Sequence, residues 1–318
     1  MSILKIVTDG DPFPAKAGNV NGLPINDGRV RTFNDGTEIS DQTDGFAGPL
    51  TYNIRYRGGQ GGRISDGSVV LDESVTHLIG PDEKIGVTVN GVAIYSSFTS
   101  VLNGYGANIV NTPSYAGYNW VLPEISSQYY AADSCGGKPE GLTNEYRYRS
   151  GRFLKSGFEQ NEEFRVSSDY FSNGNLLTHS DGHSKIIGWA LDGYPIYGPF
   201  GYSDPINSSS NIAIMRSGYR VFDPLVDGSL PASRPGITGL TVLGAFKEDY
   251  IYDGSTVGVL DPFNGRFCKT PDFEDGTYAY FLTFSDGNIN DAGVITSEPT
   301  TPQYPYIIGT STREQRSY

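Results

Sequence analysis

His183 and Asp192 are the residues of this sequence best suited to moving a proton or holding a metal inside a ring-rich stretch, HSKIIGWALDGYPIYGPFGY at 183–202. A neutral imidazole accepts a proton near pH 7 or ligates a transition metal, and a neighbouring carboxylate can orient it. Tyr194 and Tyr197 add phenols, and Trp189 sits in the apolar run before them. A metal-binding protein or an enzyme with a site around His183, Asp192 and Tyr197 is one reading. The plainer one is that buried phenolic hydroxyls need partners, with Asp192 and His183 as the candidates. The plainer reading is adopted: no catalytic residue, metal ligand or cofactor is assigned.

Other chemistries lack their residues. No Gly-x-Ser-x-Gly elbow occurs, and Gly58-Gly59-Gln60-Gly61-Gly62 has no lysine to make it a phosphate loop. Zinc is weakly supported: the three histidines and two cysteines are taken to lack His-x-x-x-His and Cys-x-x-Cys spacings, and His77 and His179, with no matching motif, are expected at the surface. Asp249 with Asp253, and Asp272 with Glu274 and Asp275, read as solvated acidic turns rather than a calcium loop.

The elements that must position these side chains are short. Ile186 to Leu191 form an apolar run of strand length, broken by an Asp192-Gly193 turn. Residues 194–202 alternate rings with proline and glycine and predict an internal loop on one tight path, without helix or sheet. Strands are predicted at Ile3–Val7, Leu50–Arg57, Tyr219–Phe222, Thr277–Phe284 and Tyr304–Ile308. Tyr278, Tyr280, Leu282 and Phe284 are expected on one face, with Ala279 and Phe281 on the other. IGVTVNGVAIY at 85–95 predicts a hairpin around Asn90-Gly91, with Ile85, Val87 and Val89 on one face. Short helices are expected near 126–132 and 244–252, and loops over 203–217 and 227–240.

Composition fits a mainly β fold, β-sandwich-like or irregular, with long loops. Gly 41 and Pro 19 form about a fifth of the 318 residues, against roughly 12% in ordinary chains. Aromatic residues reach 13%, so the core is ring-rich. A net charge of −13 disfavours nucleic acid and anionic lipid as partners. No apolar run is long enough for a membrane span, and MSILKIVTDGDPFP is too weakly apolar for a signal peptide. Cys135 and Cys268 do not make a disulfide framework, and their pairing stays open.

Several blocks, in order, resemble the YHYH-domain family: GWALDGYPIYGPFGY at 188–202, GAFKEDYIY at 244–252, LDPFNGRFCKTPDF at 260–273, GTYAYFLTF at 276–284 and PYIIG at 305–309. The resemblance covers about 80–310. It divides the chain into a turn-rich arm or small β lobe at 1–79, the family-like domain at 80–310 and a tail at 311–318. The family's Tyr-His-Tyr-His stretch corresponds to Tyr146-Arg147-Tyr148-Arg149, and its Cys-Gly-Gly-His to Cys135-Gly136-Gly137-Lys138. Each expected histidine is a cation. Arginine stays protonated and offers only donors, so the metal or acid/base role of those imidazoles does not carry over. Arg147 and Arg149 are expected to pair with acids such as Asp192 or Asp275. Tyr146, Arg147, Tyr148, Arg149, His183, Trp189, Asp192, Tyr194 and Tyr197 are then the structural core of a degenerate motif.

The resemblance implies a domain type found in secreted bacterial proteins and in phages. The reading adopted is a non-enzymatic structural or attachment component of a phage virion (tail, baseplate, fibre or neck), assembled in the host cytoplasm. Its expected partners are other virion proteins and copies of itself, with host-surface glycan as a further class. The Tyr/Asn/Gly-rich stretch at 103–119 suits such contacts. A glycan-binding module is the remaining alternative.

Overall fold

The computed structural model describes residues 2–8, 50–89, 91–100, 120–121, 137–139, 146–149, 178–230, 234, 242–254, 260–290, 294–297, 299 and 301–316. The fold is mainly β, and its strands are short, as a turn-rich sequence requires. β1 (Ile3–Thr8) and β2 (Leu50–Arg55) pair antiparallel. In β2 the alternation is clean: Tyr52 and Ile54 are buried, Thr51 and Asn53 exposed. β3 (Gly62–Ser65) and β4 (Ser68–Leu71) close across Asp66-Gly67, both at positive φ, the geometry a two-residue hairpin needs. There follow β5 (His77–Leu78), β6 (Lys84–Thr88), β7 (Ala93–Tyr95), β8 (Thr99–Ser100), β9 (Trp120–Val121), β10 (Gly137–Pro139) and β11 (Tyr146–Tyr148). The second half adds β12 (Ile186–Ala190), β13 (Pro195–Tyr197), β14 (Phe200–Tyr202), β15 (Ile212–Ile214), β16 (Tyr219–Val221) and β17 (Tyr250–Tyr252). Last come β18 (Gly265–Thr270), β19 (Phe273–Phe281), β20 (Asn288–Ile289), β21 (Ile295–Ser297) and β22 (Ser311–Thr312).

Eight of these make the central sheet, in the order β10-β11-β7-β6-β12-β13-β19-β18. The β11–β7 and β13–β19 pairs are parallel and the other pairs antiparallel. β19 separates two packed regions by simple alternation. Tyr278 and Tyr280, then Leu282 and Phe284, join the main core with Ile85, Ile94, Tyr148, Tyr194 and Ile196. Ala279 and Phe281 join Tyr197, Met215, Leu260 and Cys268 instead. A third cluster sets Tyr52 and Ile54 of β2 against Val87 and Leu191, with Trp189 packed on it.

The turn into β13 depends on glycine. Gly193 has φ of 100°, and its N–H bonds the Ala190 carbonyl. A Cβ there would lie 1.8 Å from the carbonyl oxygen of Arg55.

Several expectations are corrected. Residues 194–202 are not a loop without sheet, because β13 and β14 occupy them and both pair with neighbours. β15 lies inside the stretch expected as loop at 203–217. The helix expected at 244–252 reduces to one 3-10 turn, Lys247–Asp249, followed directly by β17, whose Tyr-x-Tyr pairs with β16. Tyr304–Ile308 is a turn with a cis Tyr304–Pro305 bond rather than a strand. A bulge between Lys84 and Gly86 interrupts the β6 alternation, so Ile85 packs in the main core while Val87 meets β2. Tyr52, Ile54 and Ile79 are buried, and so are Thr312, Arg313 and Glu314 near the end of the chain. The helix expected at 126–132, Asn90, Cys135 and the 103–119 stretch lie outside the described residues.

Candidate functional site

The side chains that sequence reasoning grouped around His183 and Asp192 fall into two separate arrangements. Tyr280 and Phe281 are consecutive in β19 and point to opposite sides of the sheet. Asp192 bonds Tyr280, whereas the His183 ring packs 6.2 Å from that of Phe281. The sheet itself therefore stands between the two.

On the Tyr280 side, Asp192 Oδ2 accepts the Tyr280 hydroxyl at 2.6 Å and the Glu314 N–H at 3.2 Å, while Oδ1 takes the Tyr194 N–H at 3.4 Å. The Asp192 carbonyl accepts from Arg57 Nε at 3.0 Å, and Arg57 pairs with Glu314 at 3.4 Å. Burial pushes the Asp192 carboxyl up to about 6, against the pull of those donors. Asp261 repeats the arrangement, both its oxygens accepting the Tyr278 hydroxyl, at 3.0 and 2.9 Å. Burial raises it to about 6 as well, opposed by the Gly265 and Phe263 N–H groups.

On the Phe281 side, His183 is wholly buried. Its Nδ1 lies 2.7 Å from the Ser184 carbonyl. Since a carbonyl only accepts, Nδ1 carries the hydrogen and Nε2 holds the lone pair. That Nε2 has no hydrogen-bond partner among the described residues. Rings enclose it: Tyr197 edge-on at 5.2 Å and Tyr202 tilted at 4.8 Å. Burial, with the Arg266 charge acting in the same direction, lowers His183 to about 4, so the imidazole is neutral at pH 7.

Each phenol around His183 donates to an aspartate rather than to the imidazole. Tyr202 bonds Asp181 at 2.5 Å; Tyr197 bonds Asp272 at 3.0 Å and shares a 2.9 Å bond with Thr270. Burial would raise the Asp181 carboxyl, but the Tyr202 hydroxyl, the His183 N–H and nearby imidazoles outweigh it, leaving Asp181 lowered. His179 Nε2 lies 3.3 Å from Asp272, so His179, partly exposed, also belongs to this cluster. Its signal is the His179-x-x-x-His183 spacing, which the sequence does contain. Among the described residues, no three His, Cys, Asp or Glu side chains are placed to hold a metal ion together. The arrangement offers one buried proton acceptor, Nε2, walled by phenols that already have acceptors of their own.

The Tyr146–Arg149 segment is elsewhere. β11 stands four strand-to-strand steps from β13, about 19 Å at ~4.8 Å per step. Arg149 donates to the carbonyls of Ser96 (3.0 Å) and Phe98 (3.2 Å) and forms an ion pair with Asp82. The Arg147 guanidinium lies 4.9 Å over the Tyr95 ring. The expected pairing with Asp192 or Asp275 does not form, because both are remote from β11; Asp275 is exposed on β19. Trp189 packs beside Tyr56 at 5.3 Å. Of the acidic turns, Asp272, Glu274 and Asp275 are exposed as expected. Asp249 is not: it is buried in a two-oxygen pairing with Arg234, at 2.7 and 2.8 Å.

A family model described as YHYH protein matches residues 69–292. No curated protein and no solved structure matches the chain.

Proposed function

The chain belongs to the YHYH family, and from that premise we propose that it is a non-enzymatic member, a structural or attachment component of a phage particle (tail, baseplate, fibre or neck). The observation that carries the reading is the use made of Arg149. Where the family's signature has an imidazole, this chain has a buried guanidinium spending its donors on two backbone carbonyls and one carboxylate. A group held this way fixes the β7–β11 neighbourhood and offers no proton to a substrate. Asp192 is likewise committed to internal donors. A strongly acidic, ring-rich β protein also suits a particle surface, where copies sit in symmetric contact with one another and with other virion proteins. Mass spectrometry of purified particles of the encoding phage tests this: the chain is expected in fixed proportion to the major structural proteins, and its absence overturns the assignment.

His183 favours a second reading, a ligand or metal site. A buried imidazole nitrogen with no partner is unusual, since buried polar atoms are nearly always bonded. Elemental analysis of freshly purified protein separates the two, because stoichiometric metal that is lost in a His183→Phe variant would favour this reading over the first.

A further inference from the structure

Residues 311–316 are held as a bound peptide is held, by separate grips rather than by a long ladder. Only Ser311 and Thr312 pair as strand, with Leu78 and His77 of β5. Beyond them, every grip comes from a distant part of the chain. The Arg313 N–H donates to the Tyr280 hydroxyl at 2.8 Å. Its guanidinium lies 4.6 Å over the Tyr278 ring and donates to the carbonyls of Gly61 (3.1 Å) and Asp72 (2.7 Å). Glu314 gives its N–H to Asp192 and its carboxylate to Arg57. Arg316 donates to the Lys84 carbonyl at 2.8 Å and pairs with Glu83 beside His77. The segment's charges run plus, minus, plus. They meet an aromatic face ringed by carbonyls, then Arg57, then Glu83, so the groove reads an Arg-Glu-x-Arg sequence point by point.

We propose that this groove is a peptide-recognition site, filled in cis by residues 311–316 and able to take the same segment in trans from a second copy of the chain. Nothing in the grips depends on which chain supplies the segment. Cis occupancy prevails in dilute solution because the tether gives an effective concentration of about millimolar. Copies packed side by side in an assembly reach comparable local concentrations, and exchange then links them without any new contact surface. The inference does not rest on the particle assignment: the groove can accept a segment in trans whether or not the chain is found in virions.

The test uses the full-length, isotopically labelled chain and an unlabelled peptide spanning Ser311–Tyr318. The two are equilibrated a few degrees below the unfolding midpoint, so that opening does not limit exchange. Peptide and native segment make the same contacts, so the intrinsic affinity cancels. Half-displacement then falls where peptide concentration equals the tether's effective concentration, about 1 mM. The expected result is that the Arg313 and Glu314 amide resonances move to released positions with that midpoint, and that a peptide carrying Arg313→Glu and Glu314→Arg leaves them in place. Unmoved amides at about 10 mM peptide, or equal displacement by the charge-swapped peptide, overturn the proposal.

Discussion

The Tyr280 hydroxyl lies 2.6 Å from Asp192 Oδ2, and neither residue exposes surface to solvent. The Arg313 N–H donates to the same hydroxyl, and the Glu314 N–H to the same carboxylate oxygen. Strand β19, the turn after β12 and the 311–316 segment therefore meet on one ionisable group. Three donors do not replace the water that burial removes from Asp192, which is why its carboxyl rises to about 6.

That rise fixes a pH dependence. In the unfolded chain Asp192 titrates near the ordinary value of about 3.9, so between there and about 6 the folded state binds more protons. Its contribution to stability is full below the unfolded value and is lost as pH rises through the folded one, a total of about 3 kcal/mol. Asp192→Asn cannot ionise. Guanidinium unfolding at about pH 4.5 and about pH 7.5 should show the wild type losing about 2 kcal/mol relative to the variant on going to the higher pH. Parallel curves would refute the assignment.

His183 gives the opposite sign. Its folded value is lowered to about 4, so below about 6.5 the unfolded chain takes up a proton that the folded chain refuses. Stability from this group is present above about 6.5 and lost as pH falls toward 4, by about 3 kcal/mol in all. In a histidine-resolved NMR titration its Cε1–H signal should stay flat from about pH 8 down to about pH 5.5. His183→Phe should remove the acid-side loss and cost about 1 kcal/mol at neutral pH through the abandoned Ser184 carbonyl.

Much of this was legible in the residues. The alternation of 277–284 gave the two packed faces of β19, and the Asp192-Gly193 turn stands where the dipeptide puts it. The Asp66-Gly67 hairpin, by contrast, was not among the predicted turns. What no linear pattern carried was sidedness across strands: His183 and Asp192 are close in sequence, but one precedes β12 and the other follows it, and the sheet intervenes. The bulge at Ile85 and the burial of Arg313 and Glu314 were also hidden, because both arise from long-range partners. Arg149 is the same case: its true partner, Asp82, lies in an unremarkable turn.

Gly193 offers a test of turn geometry against simple backbone strain. An alanine at φ of 100° is strained wherever it sits, and at Gly193 its Cβ would also collide with the Arg55 carbonyl. Gly228 has nearly the same φ, 93°, with nothing near the added carbon. Gly228→Ala should cost about 1–2 kcal/mol and Gly193→Ala at least about 3 kcal/mol, as the β12–β13 turn and β2 are forced apart. Thermal or guanidinium midpoints decide it, and equal losses would mean that β2 yields freely.

Arg149→His installs the imidazole that the resemblance to the family implies at this position, and is expected to weaken the fold. An imidazole is too short to reach the Ser96 and Phe98 carbonyls and Asp82 together, and it brings at most two donors. Asp82 is partly exposed and regains water, so the loss comes mainly from the two carbonyls and the space beside them. The expected destabilisation is about 3 kcal/mol, toward the lower end for breaking a buried ion pair. Arg149→Lys keeps the charge but not the fork, and should fall between the two at about 1–2 kcal/mol. Guanidinium midpoints of the three proteins measure this order. A histidine variant as stable as the parent would show that the guanidinium is dispensable to the fold, and the structural account of this substitution would fail with it.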